Sequence, residues 1–216
     1  MRKINLVVLG IISLSFAVGI YFYPQMPDLM ASHWSAKGEV DGYMSKFWGI
    51  FFMPFISIGL FLLFISIPKI DPLKENIAKF RKHFDGFIVL LMLFLFYLYL
   101  LTIFWNLGFK FNMPQLLMPA FGILFFYTGI LTENAKKNWF IGIRTPWTLS
   151  SEAVWEKTHK LGGRLFKILG LITLLGIFIG QYAFILVIFS AIFIAIYTFI
   201  YSYLEYQKEI KQLGRL

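Results

Sequence analysis

No cysteine occurs among the 216 residues. Disulfides, thiolate nucleophiles, Cys-ligated zinc and iron–sulfur clusters are therefore excluded, and the compartment is not legible from redox chemistry. Charge is also scarce, at 14% of residues against roughly 25% in soluble domains. Histidine occurs three times, with no H-E-x-x-H spacing, so an intramembrane metallohydrolase has no ligand set to draw on. No internal repeat or low-complexity tract is present, and with it goes the inverted-halves signature of many secondary transporters.

What the chain has in excess is apolar surface. Hydrophobic residues make up 59% and aromatics 20% of it, with a mean hydropathy of +0.73. Helices whose outer face meets lipid have this composition, because a bilayer demands no polar exterior. Apolar runs of spanning length cover Ile4–Tyr23, Phe47–Ile67, Phe87–Trp105, Leu116–Leu131, Leu165–Gly180 and Ala183–Tyr203. The fourth and fifth are short. The fifth and sixth are divided only by Gly180, Gln181 and Tyr182, which predicts a tight hairpin. The first run follows Arg2 and Lys3 as a signal peptide would, but it is long and ends in Tyr21, Phe22 and Tyr23 instead of small cleavage-site residues, so it reads as a span.

The formal net charge of +9 is not a nucleic-acid footprint, since the basic residues sit in short loops between apolar runs. Two precede the first run, five lie between the second and third, seven run from Lys136 to Lys167, and three close the chain, giving 17 on one side. Only Lys37, Lys46 and Lys110 fall on the other. The positive-inside rule then predicts an all-α membrane protein of six transmembrane helices with both termini cytoplasmic. The expected organisation is one bundle: residues 1–67 as a hairpin carrying an outer loop at 24–46, residues 68–131 as a second hairpin, and residues 132–216 as a cytoplasmic loop with the final hairpin.

Two loops have enough content to carry function. The outer one, Pro24–Lys46, holds Gly38 and an Asp41-Gly42 pair, which predict a chain that folds back on itself through positive-φ glycines. His33 and Trp34 are adjacent, so in an extended segment one faces the membrane surface and the other water. A metal site built from His33 with Asp28, Glu39 or Asp41 needs three ligands converging from one short loop, and a compact cap is the simpler reading. No metal, cofactor or catalytic residue is expected.

The cytoplasmic loop, Thr132–Arg164, mixes turn-formers, aromatics and charges. Pro146 drives Thr145 out of the helical region, and Ser150 is placed to cap a helix that starts at Ser151 with Glu152 in its first turn. On that helix Trp155, His159 and Gly162 or Gly163 share one face, while Glu156 and Lys160 are spaced to form an ion pair. Trp139, Trp147 and Trp155 suit the headgroup boundary, and Arg144, Lys136 and Lys137 suit lipid phosphates. Two readings stand open: an interfacial helix closing the bundle from below, or a docking surface with Gly162-Gly163 as its joint to the fifth span. His83, Asp85 and His159 all fall on this side and read as ordinary loop residues.

The residues Asn138-Trp139, Gly142-Ile143-Arg144-Thr145-Pro146-Trp147-Thr148, Trp155 and Thr158-His159 resemble the SdpI family of bacterial immunity membrane proteins. The outer loop, with Pro24, Pro27, Asp28, His33-Trp34, Gly38, Asp41-Gly42-Tyr43 and Lys46, is similar to the uncharacterised domain that often precedes that family's segment. The resemblance implies a protein that guards its cell against a secreted peptide toxin and holds a soluble transcriptional repressor at the membrane when toxin is present. It further implies a toxin-facing set of Asp28, His33, Trp34, Asp41 and Tyr43. The corresponding partner-facing set is Asn138, Arg144, Pro146, Trp147, Trp155 and His159.

A transporter of small solutes or lipids is the competing class. No apolar run carries an ionisable residue at its centre, as ion-coupled carriers usually do. Ser13, Ser15, Ser57, Thr128, Thr173 and Ser190 are expected to bond to neighbouring turns or helices.

Overall fold

A computed structural model describes residues 2–178, 180 and 182–214. The chain runs α1 (Lys3–Phe22), a 3-10 turn (Tyr23–Gln25), β1 (Leu29–Trp34), β2 (Val40–Ser45), α2 (Lys46–Ile70), α3 (Lys74–Lys79), α4 (Arg81–Asn106), α5 (Met113–Asn134), α6 (Pro146–Ser150), α7 (Glu152–Leu175), a 3-10 turn (Gly176–Phe178) and α8 (Tyr182–Leu213). Among the described residues α1, α2, α4, α5, α7 and α8 are long and apolar enough to cross a membrane. The protein is a multi-pass helical membrane protein.

The two short apolar runs belong to full-length helices. α5 spans 22 residues and α7 spans 24, because both continue past their apolar stretch into polar sequence at one end of the bundle. At about 1.5 Å per residue each exceeds the roughly 30 Å hydrocarbon core. Between α7 and α8 the chain reverses at Gly180, φ 65°; Gln181, part of the expected hairpin turn, lies outside the described residues.

Alternating spans bring the polar segments to two ends. At one, Arg2 pairs with Asp85, the Asn76 amide donates to the Lys137 carbonyl at 2.9 Å, and Lys157 pairs with Glu205 at 2.8 Å. Both ends of the described chain and the 135–151 loop therefore share this basic end. At the other end Asn112 reaches the Lys37 carbonyl and Gln115 the Ile177 carbonyl at 3.1 Å. The β1–β2 hairpin lies there, a small sheet added to an otherwise helical fold.

α5 and α7 pack backbone to backbone. Gly122 and Gly129 on α5 are seven residues apart, as are Gly163 and Gly170 on α7, so each pair lies on one helical face. A Cβ at Gly170 would sit 2.6 Å from the Phe126 amide nitrogen and 2.7 Å from the Gly122 carbonyl. One at Gly129 would sit 2.5 Å from the Gly163 carbonyl. In lipid, where burying apolar side chains between helices gains little, such close contact is the main adhesive.

Gly162 and Gly163 are therefore not a joint. α7 passes through them unbroken, and the absent side chains admit Ile143 and α5. Four of the six span hydroxyls behave as expected: Ser15, Ser57, Thr128 and Thr173 each donate to the carbonyl four residues back at 2.7–2.9 Å.

Candidate functional site

The hairpin end is fixed from beneath by an amide. Asn106, the last residue of α4, accepts from the Ala31 N–H at 2.8 Å and donates to the Ala31 carbonyl at 3.0 Å. Met30 beside it is fully buried with Met26, Ile50, Tyr99 and Ile103. These contacts hold β1 on the bundle while the far side of the ribbon stays open.

On that open side His33 Nδ1 bonds the Asp41 carboxylate. Both residues are exposed, as is Tyr43 at 62%. Trp34 points the other way, packing edge-on against Trp105 with centroids 5.6 Å apart. His33 and Trp34 thus point to different sides of the ribbon, through a register shift between Ala31 and Trp34.

One expectation needs correction. Asp41-Gly42 is not a turn: it lies inside β2, with Gly42 opposite His33, where a Cβ would come within 2.8 Å of the His33 Cβ. The reversal uses Gly38 alone, φ 85°, closed by the Ser35 N–H to Glu39 carbonyl bond at 2.8 Å. Asp28 is drawn away to Lys46 at 3.3 Å, and among the described residues no three His, Asp or Glu side chains converge for a metal. Beneath the ribbon an apolar cavity of about 240 Å³ opens between α4 and α5, lined by Trp34, Met53, Leu98, Leu117 and Phe121 among others.

At the basic end the 135–151 segment is folded around two buried side chains. Trp155 and His159, each 1% exposed, stack with centroids 3.8 Å apart. Trp155 Nε1 donates to the Ala135 carbonyl at 2.7 Å. The Ile143 N–H donates to His159 Nε2 at 3.0 Å, which places the ring proton on Nδ1, facing the Trp155 carbonyl at 2.8 Å. One neutral tautomer satisfies both contacts. Gly142, φ 114°, passes over this ring where a Cβ would collide with Nε2.

Asn138 organises the turn ahead of it. Its amide donates to the carbonyls of Lys136 (2.8 Å) and Ile141 (2.9 Å), while its oxygen accepts from the N–H groups of Phe140 (2.9 Å) and Ile141 (2.6 Å). The residue is fully buried, and its polar atoms are all partnered. Further on, Thr145 and Thr148 form a reciprocal cap of α6, and the Thr145 hydroxyl meets Ser202 of α8 at 3.0 Å. Thr145 is extended ahead of Pro146, as expected.

Ser151, not Ser150, caps the next helix, accepting from the Val154 N–H at 3.2 Å, because Ser150 is the last residue of α6. Glu156 pairs with Lys136 at 3.1 Å instead of Lys160. Asp85 is held by Arg81 at 2.9 Å and by Arg2, apart from His159.

Asn138, Trp155 and His159, expected to face a partner, are instead the loop's interior. Helical spacing identified the common face of Trp155 and His159 but not that Ile143 and Gly142 cover it. Trp147 is half-buried against Phe199 and Tyr203 of α8. Arg144 and Pro146 are exposed, as is Trp139 at 51%. Arg144 Nη1 donates to the Trp139 carbonyl at 2.6 Å, gathering the guanidinium and indole into one outward patch.

Asp71 was not anticipated. It is 2% exposed and accepts from the N–H groups of Leu73 (2.6 Å) and Trp139 (2.9 Å), tying the α2–α3 turn to the 135–151 loop. Its only sequence signal is its place between Pro68 and Pro72, where a turn needs a side-chain acceptor.

Residues 134–202 match the SdpI/YfhL protein family, and residues 10–58 match a domain of unknown function, DUF1648. The first interval covers most of the folded loop with α7 and most of α8, and the second holds the whole hairpin. Over 207 residues the chain is 27% identical to the Immunity protein SdpI of Bacillus subtilis (strain 168), covering 95% of this chain and 97% of that relative. No solved structure matches. The alignment thus runs almost end to end through both faces of a six-span bundle, and the chain is similar to the SdpI/YfhL family over residues 134–202, with a DUF1648 match preceding that segment.

Proposed function

We propose that this protein confers immunity to a secreted peptide toxin, with the hairpin end outside the cell and the basic end in the cytoplasm. The observation that carries this is the near-complete coverage of an immunity protein, including both terminal faces. Physical features support the division of labour. An exposed His33–Asp41–Tyr43 patch on a tethered ribbon, above an apolar cavity, offers polar and hydrophobic contacts to an amphipathic peptide. No catalytic step is part of this reading.

The decisive experiment is survival. Deleting the gene is expected to sensitise cells to the cognate toxin, and the wild-type chain to restore resistance. A His33→Ala/Tyr43→Ala double variant should restore much less at equal abundance in the membrane. Equal killing with and without the wild-type chain would overturn the proposal.

On the cytoplasmic side we place a soluble repressor against Trp139, Arg144 and Pro146, the exposed members of the loop. Arg144→Glu should abolish co-purification of that repressor in toxin-treated cells while leaving the amount of membrane protein unchanged. Such coupling across the bilayer requires two conformations that toxin and repressor bind unequally.

Sidedness has its own test, because the chain has no native thiol. Cysteines at Gly38 or Ser151 would strain the turn or remove the α7 cap, so Lys37 and Ser150, both exposed, are the better sites. An impermeant maleimide added to intact cells is expected to label Lys37→Cys and spare Ser150→Cys. The reverse pattern would invert the bundle.

A further inference from the structure

At the basic end, the C-terminus of α5 and the first half of α7 enclose a polar cleft of about 530 Å³. Lys136, Lys160, Arg164 and Lys167 line it, together with Glu133 and Glu156. Both carboxylates are taken: Glu156 by Lys136 at 3.1 Å and Glu133 by Lys167 at 2.7 Å. Lys160 and Arg164 are exposed and have no carboxylate partner among the described residues. The cleft therefore holds two uncompensated cations, four residues apart on one helical face.

That face does not stop at the cleft. Ile168, Leu171 and Leu175 continue it along α7 at spacings of four, three and four residues, and they are 52%, 52% and 61% exposed. From Arg164 to Leu175 the helix rises by about 16 Å, close to the roughly 15 Å depth of one leaflet's hydrocarbon. A cationic head site leads directly into a single-leaflet apolar track.

We infer that the cleft binds the phosphate headgroup of an anionic phospholipid through Lys160 and Arg164, with an acyl chain lying along Ile168, Leu171 and Leu175. A soluble phosphate would meet the same cations but gain nothing from the apolar track. An acidic protein segment would leave that track uncovered as well. The guanidinium supplies a fork to two phosphate oxygens and the ammonium a point charge, the usual division between these side chains.

The test uses the full-length protein in mild detergent, titrated with phosphatidylglycerol and followed by native mass spectrometry. One lipid is expected to bind the wild type roughly 30-fold more tightly than the Lys160→Gln/Arg164→Gln variant, from two near-surface cations. Lys160→Arg/Arg164→Lys should keep most of the affinity, and both variants should keep the wild-type unfolding temperature, since the residues are exposed. Phosphatidylcholine should bind the wild type no better than the neutralised variant. Equal phosphatidylglycerol binding by wild type and the neutralised variant overturns the site. Displacement of the lipid by equimolar glycerol phosphate, or by hexaglutamate, overturns the lipid as its occupant.

Discussion

Asn138→Asp is expected to unfold the 135–151 loop. The amide nitrogen that now donates to two carbonyls would become an oxygen facing both of them. Two buried acceptors lose their donor at about 1–3 kcal/mol each. A carboxylate arrives in a fully buried position, which adds to the cost. A loss of about 3 kcal/mol or more follows, enough to release the cover over Trp155 and His159. Limited proteolysis should then cut between Lys136 and Arg144, where the wild type resists. Asn138→Ala removes all four side-chain bonds but adds no charge, and should be milder. Cleavage no faster in the aspartate variant than in the alanine variant would show that buried charge is not what matters there.

The second large effect lies in the α5–α7 contact. Gly170→Ala places a methyl group against the Phe126 nitrogen and the Gly122 carbonyl, and neither is a side chain that can swing away. The helices must separate, at a cost of about 1–3 kcal/mol for an overpacked site. Gly170→Leu should abolish the folded protein. Gly59 provides the comparison, since nothing lies within 4 Å of a Cβ built there. Gly59→Ala is expected to change stability by no more than about 0.5 kcal/mol, as other substitutions clear of packed features do. Thermal unfolding in detergent separates the two. Similar melting of the alanine variants would mean that the glycine contact contributes little.

The six spans were legible because apolar length is a strong signal and the basic residues segregate by loop. The reversal of the outer loop was legible too, though not its register, since Asp41-Gly42 has the composition of a turn and the geometry of a bulged strand. Gly162-Gly163 shows a different limit. A glycine pair at the mouth of an apolar run serves a bend or a close approach equally well, and the choice lies with Gly129 and Ile143, distant in sequence. Trp155 and His159 were recognised as sharing a face, but amphipathic spacing does not say whether water or protein covers it. Here the protein's own Gly142–Ile143 segment does. Asp71 carried almost no signal, because a lone aspartate in a proline-flanked turn reads as solvated.

A two-stranded ribbon ordinarily offers two unsatisfied margins, each a template on which another extended chain can crystallise. In this protein the Asn106 side chain imitates a neighbouring peptide group and occupies the margin of β1 at Ala31. Growth of the ribbon is therefore one-sided: any strand that adds to it must arrive alongside Val40–Ser45, and two copies cannot zip together through their inner margins.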